Sequence, residues 1–212
     1  MTLTETLKNA NQQNRENIPS ETLEVMDKAT QDLIDNGLSN SALKSGDTFP
    51  SAILKNATGK EIKLDDLLTK GPVVISFYRG GWCPYCNIEL KALQQALPQI
   101  KEAGANLVAI TPETPDNSLT TKEKNNLSFE VLSDINNELA REAGLIFKLP
   151  KDLLNIYDNF GIDIEKHNKN ADFELPMPAT YVVDKNGKII YAFVNEDYTK
   201  RADTSAILAA LK

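Results

Sequence analysis

The chain has a single histidine, a single tryptophan and only two cysteines among its 212 residues, and its bases do not outnumber its acids. Each scarcity removes a class of function. A structural zinc site takes four ligands, usually Cys and His, and Cys83, Cys86 and His167 fall short of that number unless an oligomer shares them. With 23 Lys and Arg against 30 Asp and Glu, the net charge is −7 and the pI lies near 4.9. Such a chain has no general attraction for nucleic acid or anionic lipid, so neither is an expected partner. No apolar run approaches the length of a membrane span. Residues 1–17 are polar and lack the apolar core of a secretory signal, so a cytoplasmic location is expected. Hydrophobic residues at 41% and charged residues at 25% are those of an ordinary globular protein, long enough for one domain plus an extension.

What the chain does contain is organised around Val73-Val74-Ile75-Ser76-Phe77-Tyr78-Arg79-Gly80-Gly81-Trp82-Cys83-Pro84-Tyr85-Cys86. The apolar, β-branched run predicts a buried strand, the glycines a turn, and Pro84 the first position of a helix, where its missing N–H costs nothing. Cys83 then falls at the N-cap and Cys86 within the first turn, three residues apart on neighbouring positions. Unpaired N–H groups at a helix start favour a thiolate. A pair of inert core thiols is one alternative reading. A purely structural disulfide would close too short a loop to restrain the unfolded chain. In a reducing compartment, a pair so placed reads as a dithiol redox site.

Around this stretch the pattern alternates strands and helices. Residues 1–17 predict a marginal helix. Ser20 is expected to N-cap a better one, with Leu23, Met26, Ala29, Leu33 and Ile34 on one face and Gly37 closing it. Together residues 1–43 form a helical extension, read either as packed on the domain or as a partner or homodimer contact. From residue 44 onward come a hairpin about residues 56–60, the strand 73–78, and a long helix with Leu90, Leu93, Leu97 and Ile100 inward and a kink at Pro98. A strand at 106–111, a helix from Pro115, and a short strand at 129–132 follow. Helices are expected at 136–143 and 151–160, and an irregular polar loop at 162–176. A hairpin about Lys185-Asn186-Gly187 and a final helix at 202–211 complete the chain. This order fits an α/β fold with a central mixed sheet flanked by helices.

Two segments carry a resemblance. Phe77–Leu90, with its Cys-Pro-Tyr-Cys core, and Leu175-Pro176-Met177-Pro178-Ala179-Thr180-Tyr181-Val182-Val183-Asp184 resemble the peroxiredoxin-like (alkyl hydroperoxide reductase/thiol-specific antioxidant) branch of the thioredoxin superfamily. The resemblance spans residues 44–212 and implies a thioredoxin-like fold, no cofactor, and reduction of hydrogen peroxide or alkyl hydroperoxides by a cysteine thiolate. The sulfenic acid so formed would be resolved by a second thiol, and thioredoxin, a glutaredoxin or glutathione would restore the dithiol. Placed on the peroxiredoxin pattern, Cys86 takes the peroxidatic position and Cys83 the resolving one. Cys83 then stands where peroxiredoxins carry Thr, Arg79 where they carry Pro, and Pro178 in place of their later Arg. Thioredoxin logic reverses the two cysteines, because the outer sulfur at the helix start attacks. On the peroxiredoxin reading, Cys83→Ser should trap a sulfenic acid on Cys86.

Trp82, Arg79, Met177 and Pro178 are the substrate-contacting candidates beside the catalytic pair, with Arg79 read either as a cation supplied from a new position or as an exposed, solvated side chain. Pro178 resembles the cis-proline of thioredoxins, which predicts a cis Met177–Pro178 bond that turns the Met177 backbone toward Cys83 to pair with a bound peptide. Tyr85 is expected at the cleft edge and His167 at the surface, and Glu89 reads as a proton relay or, by preference, as a solvated helix carboxylate. Three functions are thus in play: a thiol peroxidase, a thiol–disulfide oxidoreductase, and a redox-sensing module that binds a partner through its N-terminal helices.

Overall fold

A computed structural model describes residues 1–212. The first helix, α1 (Leu3–Glu16), is fully formed, because Thr2 and Glu5 cap one another's backbone N–H groups and Leu3 and Leu7 are buried. Helix α2 (Ser20–Asp35) begins one residue earlier than the capping expectation placed it. Pro19 holds the N-cap, offering no side-chain acceptor, and Ser20 is the first helical residue. Gly37 ends the element in the left-handed region, with φ of 60°. Strands β1 (Ile53–Asn56) and β2 (Glu61–Lys63) form the predicted hairpin. Its turn is organised by Asn56, whose Oδ1 accepts the N–H groups of Thr58 and Lys60.

After the short helix α3 (Leu64–Leu68) comes β3 (Val73–Phe77), buried at every position. Helix α4 (Pro84–Glu102) follows and runs on through Pro98. Next are β4 (Asn106–Thr111), α5 (Pro115–Lys124) and β5 (Glu130–Ser133). Helix α6 (Glu138–Glu142) is shorter than periodicity suggests. Asn136 and Asn137 both take left-handed backbone, and the Asp134 carboxylate caps the helix by accepting from Leu139 and Ala140. Strand β6 (Ile146–Lys148) and helix α7 (Lys151–Asn159) lead into the stretch expected to be irregular. That stretch instead holds α8 (Ile164–Asn168) and β7 (Glu174–Pro176), the latter paired with β6. Strands β8 (Ala179–Val183) and β9 (Ile189–Val194) and helix α9 (Thr204–Ala210) close the chain.

The main sheet runs β2-β1-β5-β4-β3-β8-β9, with β3, β4 and β5 parallel and the remaining pairs antiparallel. Alternation along β3 assigns its two faces. Val73, Ile75 and Phe77 join a core with Leu132, Leu139 and Tyr181, while Val74 and Tyr78 join one with Leu90, Leu93 and Ile100 of α4. Each such side chain removed from water stabilises the fold by roughly 1.5–3 kcal/mol. Helix α1 lies against α4, and α2 against α7. Leu3 and Leu7 belong to the same core as the two cysteines.

The Met177–Pro178 bond is trans, contrary to the expected cis geometry; the chain contains no cis peptide bond. The reason lies in how the segment is used. It passes directly from β7 into β8, the Met177 N–H donates to the Leu145 carbonyl (2.8 Å), and the Met177 side chain is fully buried in the sheet core.

Candidate active site

The end of β3 sets the site by a sharp turn into α4. Two glycines allow it: a Cβ at Gly81 would stand 2.0 Å from Thr121 Oγ1, and one at Gly80 2.2 Å from Trp82 Nε1. The turn is tied down from three sides. Asn87 donates to the carbonyls of Gly81 and Cys83 (both 2.8 Å), and is itself held by Asn125 (2.7 Å). The buried Glu113 carboxylate accepts the Gly81 N–H (2.8 Å), and its other oxygen meets His167 Nδ1 at 2.8 Å. His167, expected in a solvated loop, therefore sits on α8 as a buttress of the active-site turn.

Cys83 is the N-cap of α4, with Pro84 opening the helix and Cys86 in its first turn. Both are free thiols and almost fully buried. Burial works to raise the Cys83 thiol, but hydrogen bonds from Cys86 and the charges of Arg79 and Arg201 outweigh it and bring the group down to about 6. Cys86 moves the other way. Burial, its hydrogen bond to Cys83 and the neighbouring negative charge push its thiol up. The pair thus holds one negative charge, on Cys83.

Two buried arginines face that charge. Arg201 donates through Nη2 to Cys86 Sγ (3.2 Å) and through Nε to Glu89. Glu89 also accepts from Ser76 (3.2 Å) and Thr180 (3.5 Å). Its burial prevails over the Arg201 charge and raises the carboxyl to about 7. Glu89 is therefore an interior acid, not the solvated helix carboxylate expected. Arg79 is also interior, only 2% exposed, where the guanidinium stacks on Tyr198, Trp82 and Tyr157 at 4.6, 4.9 and 5.5 Å and donates to the Tyr157 hydroxyl.

A cleft of about 310 Å³ opens between α4, α7 and the N-terminal helices. Cys83 and Arg79 both line it, with Trp82 and Tyr85, and Ile18 and Met26 join the lining from the N-terminal segment. The Tyr85 hydroxyl donates to Asn11 Oδ1 (2.9 Å), tying α1 to the start of α4. Of the residues predicted to contact substrate, Trp82 and Arg79 are thus brought to the sulfurs. Pro178 lines a separate, smaller cavity that also touches Arg79, and Met177 lies in the core beneath the sheet. Arg201, Tyr157, Tyr198 and Glu113 were missed. Arg201 follows a run of polar and charged residues with no distinguishing local pattern, and the others gain meaning only through tertiary contacts. No cluster of three or more His, Cys, Asp or Glu residues is assembled.

A thioredoxin-like α/β sheet presenting a Cys-x-x-Cys pair at a helix start defines a thiol-redox protein. Residues 45–192 match the AhpC/TSA family, and the chain belongs to it, as a peroxiredoxin-like member of the thioredoxin superfamily. It is 30% identical over 169 residues to the chloroplastic peroxiredoxin Q of Sedum lineare, covering 79% of this chain and 78% of that protein. It is 30% identical over 154 residues to the chloroplastic peroxiredoxin Q of Gentiana triflora, covering 73% of this chain but only 60% of the relative's length. Among solved structures, peroxidoxin BcpB of Mycobacterium tuberculosis superposes with a TM-score of 0.63 at 22% identity, covering 80% of this chain and 96% of that one. Peroxiredoxin Q of Xanthomonas campestris gives 0.60 at 20% identity, over 81% of this chain and 96% of that one. At these identities the structural likeness speaks for the fold. No helix is long and apolar enough to cross a membrane.

Proposed function

We propose that this protein is a thiol-dependent peroxidase in which Cys83 attacks and Cys86 resolves. The carrying observation is that Cys83, not Cys86, lines the cleft, and its thiol is the one lowered to about 6. The Cys83 thiolate attacks the terminal oxygen of a hydroperoxide and breaks the O–O bond, forming a sulfenic acid and releasing an alkoxide that takes up a proton, or hydroxide when the substrate is hydrogen peroxide. Arg79 lies beside the developing charge, where a buried cation is most effective. The Cys86 thiol then condenses with the sulfenic acid, giving a Cys83–Cys86 disulfide and water. The proton that Cys86 sheds leaves with the sulfenic hydroxyl as that water, while Arg201, 3.2 Å from Cys86 Sγ and paired with Glu89, favours the Cys86 thiolate that attacks.

This reverses the cysteine roles suggested by the peroxiredoxin pattern. The Arg201–Cys86 contact favours the opposite order, since a cation at 3.2 Å also stabilises a thiolate there. Peroxide oxidation of the two single variants, with a sulfenic-acid trapping reagent, decides between them. Cys86→Ser should carry the trapped sulfenic acid and Cys83→Ser should stay unmodified. The reverse outcome restores Cys86 as the attacking group, and no oxidation of either variant removes the peroxidase reading. Turnover requires a thiol reductant, so a reducing compartment such as the cytoplasm suits the enzyme.

A further inference from the structure

Arg79 is a buried cation without a carboxylate. It takes part in none of the chain's ion pairs, and its Nε has no hydrogen-bond partner. Arg201, the other buried guanidinium at the site, is balanced by Glu89. In the reduced protein the Cys83 thiolate supplies the charge that Arg79 lacks. Once the Cys83–Cys86 disulfide forms, that thiolate is gone, and the guanidinium is left among three aromatic rings with no anion beside it. A desolvated, unpaired charge is the least favourable arrangement a protein interior offers, so the oxidised cleft favours an incoming anion.

The next molecule to enter is the reductant, and its sulfur must reach sulfurs that are almost fully buried in the reduced chain. A protein reductant would need an exposed sulfur and a free strand edge. Both are denied here: the N-terminal residues Ile18 and Met26 wall the cleft, and the Met177 N–H is already committed to Leu145. A small molecule can enter a space of about 310 Å³. Arg79 is the only charged residue lining that space, so the favoured small thiol is a negatively charged one.

We propose that the cleft is a recognition site for a small carboxylate-bearing thiol, which Arg79 pairs with and selects as reductant of the Cys83–Cys86 disulfide. The proposal rests on the dithiol reading of the site. The thiolate of the reductant attacks one sulfur of the disulfide, giving a mixed disulfide and a cysteine thiolate. A second reductant thiolate then releases the oxidised small-molecule disulfide and the second cysteine thiolate.

The test uses the full chain oxidised with diamide, so that it does not depend on peroxide turnover. Loss of two hydrogens by intact mass confirms the intramolecular disulfide. Its reduction by 3-mercaptopropionate and by 2-mercaptoethanol is then compared at constant ionic strength, with rates divided by the thiolate concentration of each. The carboxylate thiol should be faster by about tenfold, the lower range for a hydrogen bond to a charged group. Arg79→Gln should abolish that advantage. In the wild-type chain, propionate should slow reduction by 3-mercaptopropionate, a measurement that decides the matter if the variant does not fold.

Equal normalised rates, an advantage retained in Arg79→Gln, or no effect of propionate would overturn the proposal. So would a thioredoxin acting faster than either small thiol while the carboxylate confers no gain. Failure to form the disulfide refutes both this site and the resolving step. Normal reduction without peroxide turnover would refute the peroxidase reading alone.

Discussion

Replacing Cys83 should change how stability depends on pH, and the size of the change follows from the site. The Cys83 thiol falls from its ordinary 9.0 to about 6. Its folded value is depressed, so its stabilisation is complete above pH 9 and is lost as pH falls through 6. At about 1.4 kcal/mol per decade, the whole span amounts to roughly 4 kcal/mol. The comparison is between the wild-type chain and Cys83→Ser/Cys86→Ser, both under a thiol-free reductant. Removing both sulfurs prevents Cys86 from taking over the charge. Urea unfolding followed through Trp82, the only tryptophan, gives the stability of each between pH 6 and 9. The stability difference should widen in favour of the wild type as pH rises, and thiolate absorbance should titrate near the lower end of that range. A difference that is flat with pH, or a thiolate that appears only near pH 9, would refute the electrostatic account of Cys83.

Glu89 should contribute with the opposite sign. Its folded value, raised from 4.5 to about 7, makes the folded chain hold a proton that the unfolded chain has released, so stability falls as pH rises between those values, by up to about 3 kcal/mol. Glu89→Gln should flatten that part of the urea-unfolding profile. Arg201→Met leaves the Glu89 carboxylate unpaired and should cost about 3–5 kcal/mol near neutral pH, with Arg201→Met/Glu89→Leu recovering much of it in the same measurement. Gly81→Ala forces a Cβ against Thr121 and should cost about 1–3 kcal/mol by urea unfolding, partly regained with Thr121→Ala. Pro178→Ala should leave disulfide exchange within about twofold of wild type, since the proline lies outside the Cys83 cleft.

Much of this architecture is visible in the chain before any coordinates. The buried run at Val73–Phe77, the Cys-Pro-Tyr-Cys helix start and the strand Asn106–Thr111 all follow local rules of period and capping, and all stand where those rules put them. Strands β6 and β7 were not legible because three residues carry too little alternation to register, and their pairing is long-range. The cysteines were found by spacing, but their electrostatics were not. Arg79 looked as ready to be solvated as buried, and Arg201, 115 residues from Cys86, reaches it only through the fold. Pro178 shows the opposite failure. A local motif predicted a backbone geometry, whereas the direct passage from β7 to β8 and the Met177–Leu145 hydrogen bond accompany the other.

Leu3 and Leu7 anchor the first helix in the core that includes the cysteines, and its far end brings Asn14 to the cleft that Cys83 lines and Asn11 to Tyr85, which makes the helix part of the enclosure of the site. The consequence concerns damage rather than catalysis. Fraying of α1 is a local event that need not disturb the sheet, yet it would admit water and oxidant to a sulfur the intact fold keeps sealed. Overoxidation of the reduced chain at rest should then follow the opening frequency of its N-terminal helix, so that Thr2, by capping that helix, helps set how long the thiols survive.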